Sequence, residues 1–325
     1  MTRKTSAAII AGLSLLLTAC GSDDGDSATT TDEMTAAPDE MATTTVAAAT
    51  TNPPVEPESA APAAIVSLSP TATEMLYAVG AGDQVIAVDD FSNYPSDTAD
   101  KQPGISGYDP NVEAILALGA DLIVTDGTNP DLIDAIERAG VAHWAGPAAV
   151  TIDDTVAQIL EIGEATGHAE EALALVSDME AELAMLMERI EALPELDRPL
   201  TYYHELDNTY YSVTSETFIG STYSMLGLRN IADLAEGESY GYPQLSAEFI
   251  LDKNPDLIFL ACTIYCGETP ESVAARPGWD ALSAVEAGHV FGLDDDTASR
   301  WGPRIVDHMT TVVDAVEAVV GAQAE

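Results

Sequence analysis

The sequence predicts an α/β protein made of two similar α/β lobes, each with a largely parallel sheet, which are joined by one long helix. Short apolar strands alternate with amphipathic helices in both halves of the chain, a rhythm that is typical of parallel sheets. A helical stretch at residues 168–193 separates the halves. A twelve-residue segment of the first half recurs in the second, which indicates that the lobes share one architecture.

Residues 1–19 are predicted to form a signal peptide. Arg3 and Lys4 precede an apolar run at residues 7–17 that is too short to span a bilayer. The run ends in Leu-Thr-Ala-Cys20, which resembles the bacterial lipobox, so we expect Cys20 to be acylated after cleavage. An ordinary secretory signal with an incidental cysteine is the alternative.

Residues 20–62 are predicted to be a disordered acidic tether. From residue 21 onward the segment has no Lys, Arg or aromatic residue, so it cannot bury enough apolar surface to offset the entropy of ordering. Its proline and acidic residues favour an extended chain that holds a folded body away from a membrane.

The net charge is strongly negative, because 55 acidic residues face 11 basic ones. Loss of Arg3 and Lys4 with the signal peptide takes the formal charge from -44 to -46. Such a charge repels phosphate backbones and anionic lipid headgroups, so it excludes nucleic acid as a partner and confines membrane contact to the lipid. We interpret the charge as a solvated acidic surface suited to a saline habitat.

The N-terminal lobe is predicted at residues 63–166. Proline or Ser-Pro pairs open its helices, and short apolar runs mark its strands. The predicted strands are 64–68, 85–88, 122–125 and 141–145, and the predicted helices begin near 69–71, 110, 130 and 153.

The connecting segment is predicted at residues 167–197. Its apolar residues recur at three-four spacing, and a helix over 168–193 would be roughly 39 Å long, enough to cross two lobes. Packing within one lobe is the alternative. Pro194 and Pro199 end the helix.

The C-terminal lobe is predicted at residues 198–325. Residues 113–124 (EAILALGADLIV) align without gaps on residues 248–259 (EFILDKNPDLIF) and match at six of twelve positions. Each copy reads as a helix, a turn and a buried strand. Two remaining cysteines, Cys262 and Cys266, would need a turn between them to form a disulfide, so a bridge and two free thiols both stay open.

Several segments together resemble the cobalamin, haem and iron-siderophore binding proteins of ABC importers, the helix-linked class of bilobal receptors. The segments are residues 65–76 (IVSLSPTATEML), 85–95 (VIAVDDFSNYP), 108–113 (YDPNVE), 241–248 (GYPQLSAE) and 301–305 (WGPRI). The resemblance implies an extracytoplasmic, monomeric and nearly rigid receptor. It would deliver an iron-siderophore, haem or cobalamin to a permease and its ATPase.

The predicted ligand site consists of aromatic residues on loops at strand ends, with one cation beside them. Aromatic faces bury planar ligands at low entropic cost, and a guanidinium pairs with anionic groups. The candidates are Phe91, Tyr94, Tyr108, Tyr210, Tyr211, Tyr242, Arg300 and Trp301. Core packing of the aromatic residues, and salt bridges of Arg300 and Arg304 to carboxylates that include 294–296, are the alternatives.

Glu113 and Glu248 are the predicted permease contacts, one on each lobe. Both are expected in the first turn of a helix, where a carboxylate also offsets the helix dipole. The resemblance implies that they pair with arginines of the permease.

Three other functions are alternatives to this one. The five histidines are scattered without ligand spacing, which disfavours a zinc or manganese receptor and predicts no metal site. Hydrolase, P-loop and dinucleotide motifs do not occur, so we expect no enzyme and no cofactor. A surface adhesin without a transport role is the third alternative.

Overall fold

The computed structural model describes residues 61–237 and 240–323. Cys20, the predicted signal peptide and the tether up to residue 60 lie outside the described residues. No helix of the described ranges is long and apolar enough to cross a membrane.

The first lobe is a four-stranded parallel sheet with the strand order β2-β1-β3-β4. Its strands are β1 (Ile65–Ser67), β2 (Val85–Val88), β3 (Leu122–Thr125) and β4 (Ala142–Ala145). Its helices are α1 (Pro70–Ala78), α2 (Val112–Leu116), α3 (Pro130–Ala139) and α4 (Ile152–Thr166).

Side-chain caps fix where these helices begin. Ser69 accepts a hydrogen bond from the amide of Ala72, with Pro70 at the first helical position. Helix α2 begins at Val112 rather than at the predicted residue 110, because the Asn111 side chain accepts from the amide of Ala114 at 3.1 Å.

The predicted long helix is confirmed as α5 (Ala169–Glu191), 23 residues and therefore about 35 Å long. Gly167 separates it from α4 by adopting a left-handed conformation, with a φ of 80°. The buried stripe of α5 consists of Ala172, Val176, Met179, Leu183 and Leu186.

The second lobe repeats the first, with the strand order β6-β5-β7-β8 and all strands parallel. Its strands are β5 (Thr201–Glu205), β6 (Arg229–Asn230), β7 (Leu257–Leu260) and β8 (Val290–Gly292). Its helices are α6 (Phe218–Met225), α7 (Ala247–Lys253), α8 (Pro270–Ala274), α9 (Ser283–Glu286) and α10 (Ile305–Gln323). The recurring segment forms α2 and β3 in one lobe and α7 and β7 in the other, which confirms two similar lobes.

One apolar core continues through both lobes. It contains Val124 of the first sheet, Met179 of α5, and Phe259 and Val313 of the second lobe. Helix α5 is also tied to α10 on its polar side, because Arg189 donates to Glu317 at 2.7 and 2.9 Å and to Asp314 at 2.6 Å. The lobes therefore meet through shared packing as well as through one connecting helix.

Two histidines are buried in the second lobe as neutral rings. His204 lies 3.0 Å from the Tyr223 hydroxyl through Nδ1, and His308 packs edge-on against the same tyrosine. Burial lowers the pKa of His308 to about 4, and burial together with the neighbouring His308 lowers the pKa of His204 to about 3. Both rings therefore contribute to stability only while they are uncharged.

We predict that His308→Leu weakens the loss of stability on acidification. An unfolded histidine titrates near pH 6.5, so below that pH the unfolded state binds more protons and stability falls until the folded pKa is reached. Between pH 7 and pH 5 this one group should cost roughly 1 to 2 kcal/mol in the wild type. Melting temperatures at the two pH values measure the effect.

The half-buried His289, changed to Leu, is the matched control for the loss of an imidazole that lies outside the buried core. Equal acid sensitivity of the His308 variant and the wild type would contradict the assignment.

Candidate functional site

A pocket of about 850 Å³ opens at the carboxyl ends of the first sheet and is bordered on the other side by two residues of the second lobe. We call it the cleft pocket. Leu68 and Ser69 follow β1, Asp89 and Phe91 follow β2, and residues 126–130 follow β3. Arg300 and Trp301, on the segment between β8 and α10, form the opposite side. In parallel sheets ligands bind at this edge, so topology alone marks the pocket.

The lining of the cleft pocket is acidic and aromatic. Asp89, Asp109 and Asp126 supply carboxylates. Burial raises the pKa of Asp89, although hydrogen bonds from Ser92 and the Phe91 backbone act in the opposite direction. Arg300 is the only Lys or Arg among the residues that line this pocket.

A buried carboxylate on α1 ties the lobes together beside this pocket. Glu74 is 3% exposed and accepts from Arg300 Nη1 at 2.7 Å through Oε1. Arg304 donates to both of its oxygens, from Nη2 at 2.6 Å and from Nε at 2.9 Å. We call Glu74, Arg300 and Arg304 the interlobe latch. Because these pairs are shielded from water, they are stronger than exposed ion pairs.

Further polar contacts extend the interlobe latch. Arg300 Nη1 also donates to Asn93 Oδ1, and Nη2 donates to the Phe91 carbonyl and to Asp296. Asn93 in turn donates to Asp296 at 2.7 Å, which is a second contact between the lobes. Both terminal nitrogens of Arg300 are therefore engaged by protein groups.

Four predicted ligand residues come together in the cleft pocket. Phe91 and Tyr108 line it from the first lobe, and Arg300 and Trp301 line it from the second. The Tyr108 ring is 92% exposed, whereas Trp301 is half-buried and donates through Nε1 to Gln158 at 3.1 Å. Arg300 also makes the predicted alternative, a salt bridge to Asp296 at 2.8 Å.

The other four predicted ligand residues do not line the cleft pocket. Tyr94 lies under the Arg304 guanidinium, 4.0 Å from it, in a separate groove beside α5. Tyr210 stacks on Trp279 with a centroid distance of 5.7 Å, and Tyr211 pairs with Gln244 in an isolated bridge. Tyr242 is half-exposed in the segment that pairs with residues 210–214.

The sequence interpretation gave no role to Glu74, although it lies inside the first of the family segments. Its partners are more than 200 residues away, so the pairing becomes visible only in three dimensions. Asn93 was missed for the same reason, since its partners Asp296 and Arg300 lie more than 200 residues away. Asp89 was also missed; it lies in the second family segment directly after β2 and is hydrogen-bonded locally by Ser92.

Glu113 and Glu248 occupy equivalent positions in the two lobes. Each is exposed and lies in the first turn of its helix, α2 or α7, two residues after the capping side chain of Asn111 or Ser246. Neither makes a salt bridge within the part of the chain that the structure describes. Both carboxylates are therefore available to a partner.

Cys262 and Cys266 are bridged, with their Cα atoms 5.1 Å apart. The required turn exists because the buried Asp295 carboxylate accepts from the amides of Thr263, Ile264 and Tyr265 at 2.7 to 3.0 Å. This resolves the alternative between a disulfide and two free thiols.

Comparison with known proteins assigns the family. Residues 65–297 match the model of a family described as periplasmic binding protein. The chain belongs to the periplasmic binding protein family. A cobalamin-binding protein of Halobacterium salinarum is 30% identical to this binding protein over 267 residues, which cover 78% of this chain and 69% of that protein.

Other relatives agree on the class. A substrate-binding lipoprotein of an ABC transporter in Bacillus subtilis is 27% identical over 78% of this chain and 80% of its own length. The solved vitamin B12 binding protein of Vibrio cholerae superposes with a TM-score of 0.66 at 26% identity, covering 79% of this chain and 98% of that structure. A haem-binding protein from Roseiflexus, at 22% identity and a TM-score of 0.69, shares the fold.

Among residues 61–237 and 240–323, no group of three or more His, Cys, Asp or Glu side chains is placed to hold a metal ion.

We predict that Glu74→Ala strongly destabilises this binding protein. The change leaves Arg300 and Arg304 without their shared buried counter-charge, a loss that typically costs about 3 to 5 kcal/mol. Denaturant unfolding of the purified protein measures the free energy.

The exposed Glu180 of α5, changed to Ala, is the matched control and should alter stability by less than about 0.5 kcal/mol. A Glu74 variant that is as stable as this control would show that the interlobe latch contributes little.

Proposed function

We propose that the protein binds a bulky metallo-organic ligand in the cleft pocket and delivers it to an ABC importer. The observation that carries the proposal is the pocket of about 850 Å³ between the two lobes, lined by Phe91, Tyr108 and Trp301. A pocket of this size and aromatic character suits a macrocycle or chelate better than a single ion. Family membership supports the delivery role.

The charges of the cleft pocket favour a corrinoid over haem or a ferric siderophore. Arg300 is held by Glu74 and Asp296, so it offers no free guanidinium to an anionic ligand. The carboxylates of Asp89, Asp109 and Asp126 add negative potential on the opposite, first-lobe side of the pocket. Haem propionates and anionic ferric chelates are repelled there, whereas the amide-rich periphery of cobalamin can donate hydrogen bonds to carboxylates. The names of the Halobacterium and Vibrio relatives agree with this choice.

We predict that isothermal titration calorimetry detects cyanocobalamin binding, with much weaker binding of haem and ferric siderophores. Free zinc and manganese should give no heat of binding. Tight binding of an anionic chelate with no response to cyanocobalamin would overturn the charge argument. A response to free metal alone would overturn the pocket assignment.

The variant Tyr108→Ala should lower the affinity for cyanocobalamin without a change in melting temperature, because Tyr108 is almost fully exposed.

The permease contact is proposed at Glu113 and Glu248. Their equivalent exposed positions on α2 and α7 match a transporter with two similar halves, as the family resemblance implies. Exposed ion pairs contribute little and are screened by salt, so docking must bury these carboxylates against the permease.

We predict that the double variant Glu113→Ala, Glu248→Ala loses ligand uptake and stimulation of the transporter ATPase, with ligand affinity and melting temperature nearly unchanged. The matched control is Asp131→Ala with Glu271→Ala, which removes exposed first-turn carboxylates from α3 and α8. The control should transport normally. Equal loss in both double variants, or normal uptake by the first, would contradict the docking assignment.

Membrane attachment is proposed through an acylated Cys20. The support is the lipobox-like segment at residues 17–20 and the name of the Bacillus relative, a substrate-binding lipoprotein.

Cys20→Ser should move the protein from the membrane fraction to the soluble extracytoplasmic fraction with its ligand affinity intact. Membrane association of the variant that still requires detergent for release would contradict the anchor.

A further inference from the structure

We propose that Ile264 and Tyr265, on the disulfide-closed loop after β7, form the second lobe's apolar wall of the ligand site and cover one face of the bound corrinoid. This inference rests on the proposed function and deepens it. Neither Ile264 nor Tyr265 is among the residues that line the cleft pocket.

The position of this loop follows from the internal duplication. Strand β7 is the counterpart of β3, because each is third in its lobe and follows the recurring helix. The loop after β3 supplies Asp126, Thr128 and Asn129 to the cleft pocket. Since ligands bind at the carboxyl ends of parallel strands, the loop after β7 lies at the matching edge of the second sheet.

Contacts place Tyr265 beside the interlobe latch. Its hydroxyl lies 3.5 Å from Asp296 Oδ1, and the same oxygen accepts from Arg300 at 2.8 Å. The other Asp296 oxygen accepts from Asn93 of the first lobe. Because Arg300 lines the cleft pocket, Tyr265 lies at the seam where the two lobes face each other.

The loop is rigid in its backbone and apolar at its tip. The Cys262–Cys266 bond closes it, and the buried Asp295 binds three successive amides inside it. Nevertheless Ile264 is 65% exposed and Tyr265 is 67% exposed. Exposure of two large apolar side chains gives up the favourable free energy of burying them. A preorganised apolar surface, however, binds a flat ligand with little further loss of conformational entropy. A ligand face at the cleft provides that burial.

The test is calorimetric titration of cyanocobalamin into the full-length protein and three variants. Tyr265→Ala should weaken binding by about tenfold or more, the effect of removing roughly 1.4 kcal/mol of aromatic contact. Tyr265→Phe should stay within about twofold of the wild type, because the ring rather than the hydroxyl makes the contact. Tyr240→Ala is the control, since this tyrosine is 94% exposed in the same lobe and lines a different pocket, together with Thr214 and Asp233.

The outcomes separate this inference from the proposed function. A wild type that binds no cyanocobalamin overturns both. Wild-type binding with undiminished affinity of Tyr265→Ala overturns this inference alone, as does an equal loss in the Tyr240 control. Reduced uptake with unchanged affinity would assign Tyr265 to the permease contact instead, and would also overturn it.

Discussion

A carboxylate buried between two guanidinium groups is the interaction on which the arrangement of the lobes depends. Glu74 belongs to the first lobe, while Arg300 and Arg304 belong to the second, and none of the three is well exposed. Separating the lobes would break the short, charge-assisted hydrogen bonds between these three groups, which costs free energy. Together with the continuous core around α5, these contacts favour a fixed arrangement of the two lobes.

The interlobe latch also engages Arg300, the one guanidinium among the residues that line the cleft pocket. In a chain with 11 basic residues, arginines act mainly as internal braces: Arg189 joins α5 to α10, Arg276 pairs with the buried Glu205, and Arg300 joins the lobes. Each guanidinium that is engaged in this way is unavailable to an incoming anion. Structural demand for the few cations therefore leaves the carboxylates of the cleft pocket without a free guanidinium beside them, which is the physical basis of the proposed preference for a corrinoid.

Local patterns were enough to predict most of the fold. Strand β3 and helix α3 have the predicted bounds, because their apolar runs and the Asn-Pro start of α3 are encoded in consecutive residues. Local patterns predicted only part of the candidate site. The aromatic residues predicted to bind the ligand include Tyr108, which lines the cleft pocket, and Tyr210, which packs on Trp279. Only the three-dimensional contacts distinguish these two cases. The interlobe latch could not be predicted from local patterns, because its partners are distant in sequence.

The duplication accounts for what is shared between the lobes and for what differs. Both keep the same strand order and present an exposed carboxylate in the first turn of α2 or α7, so the proposed permease contacts lie at equivalent places on the two lobes. The loops at the strand ends have diverged. The first lobe gives an open acidic wall, and the second gives the braced loop of Ile264 and Tyr265. Loops tolerate such change because the sheet behind them holds the fold, so the carboxyl ends of the strands can differ between two lobes that share one architecture.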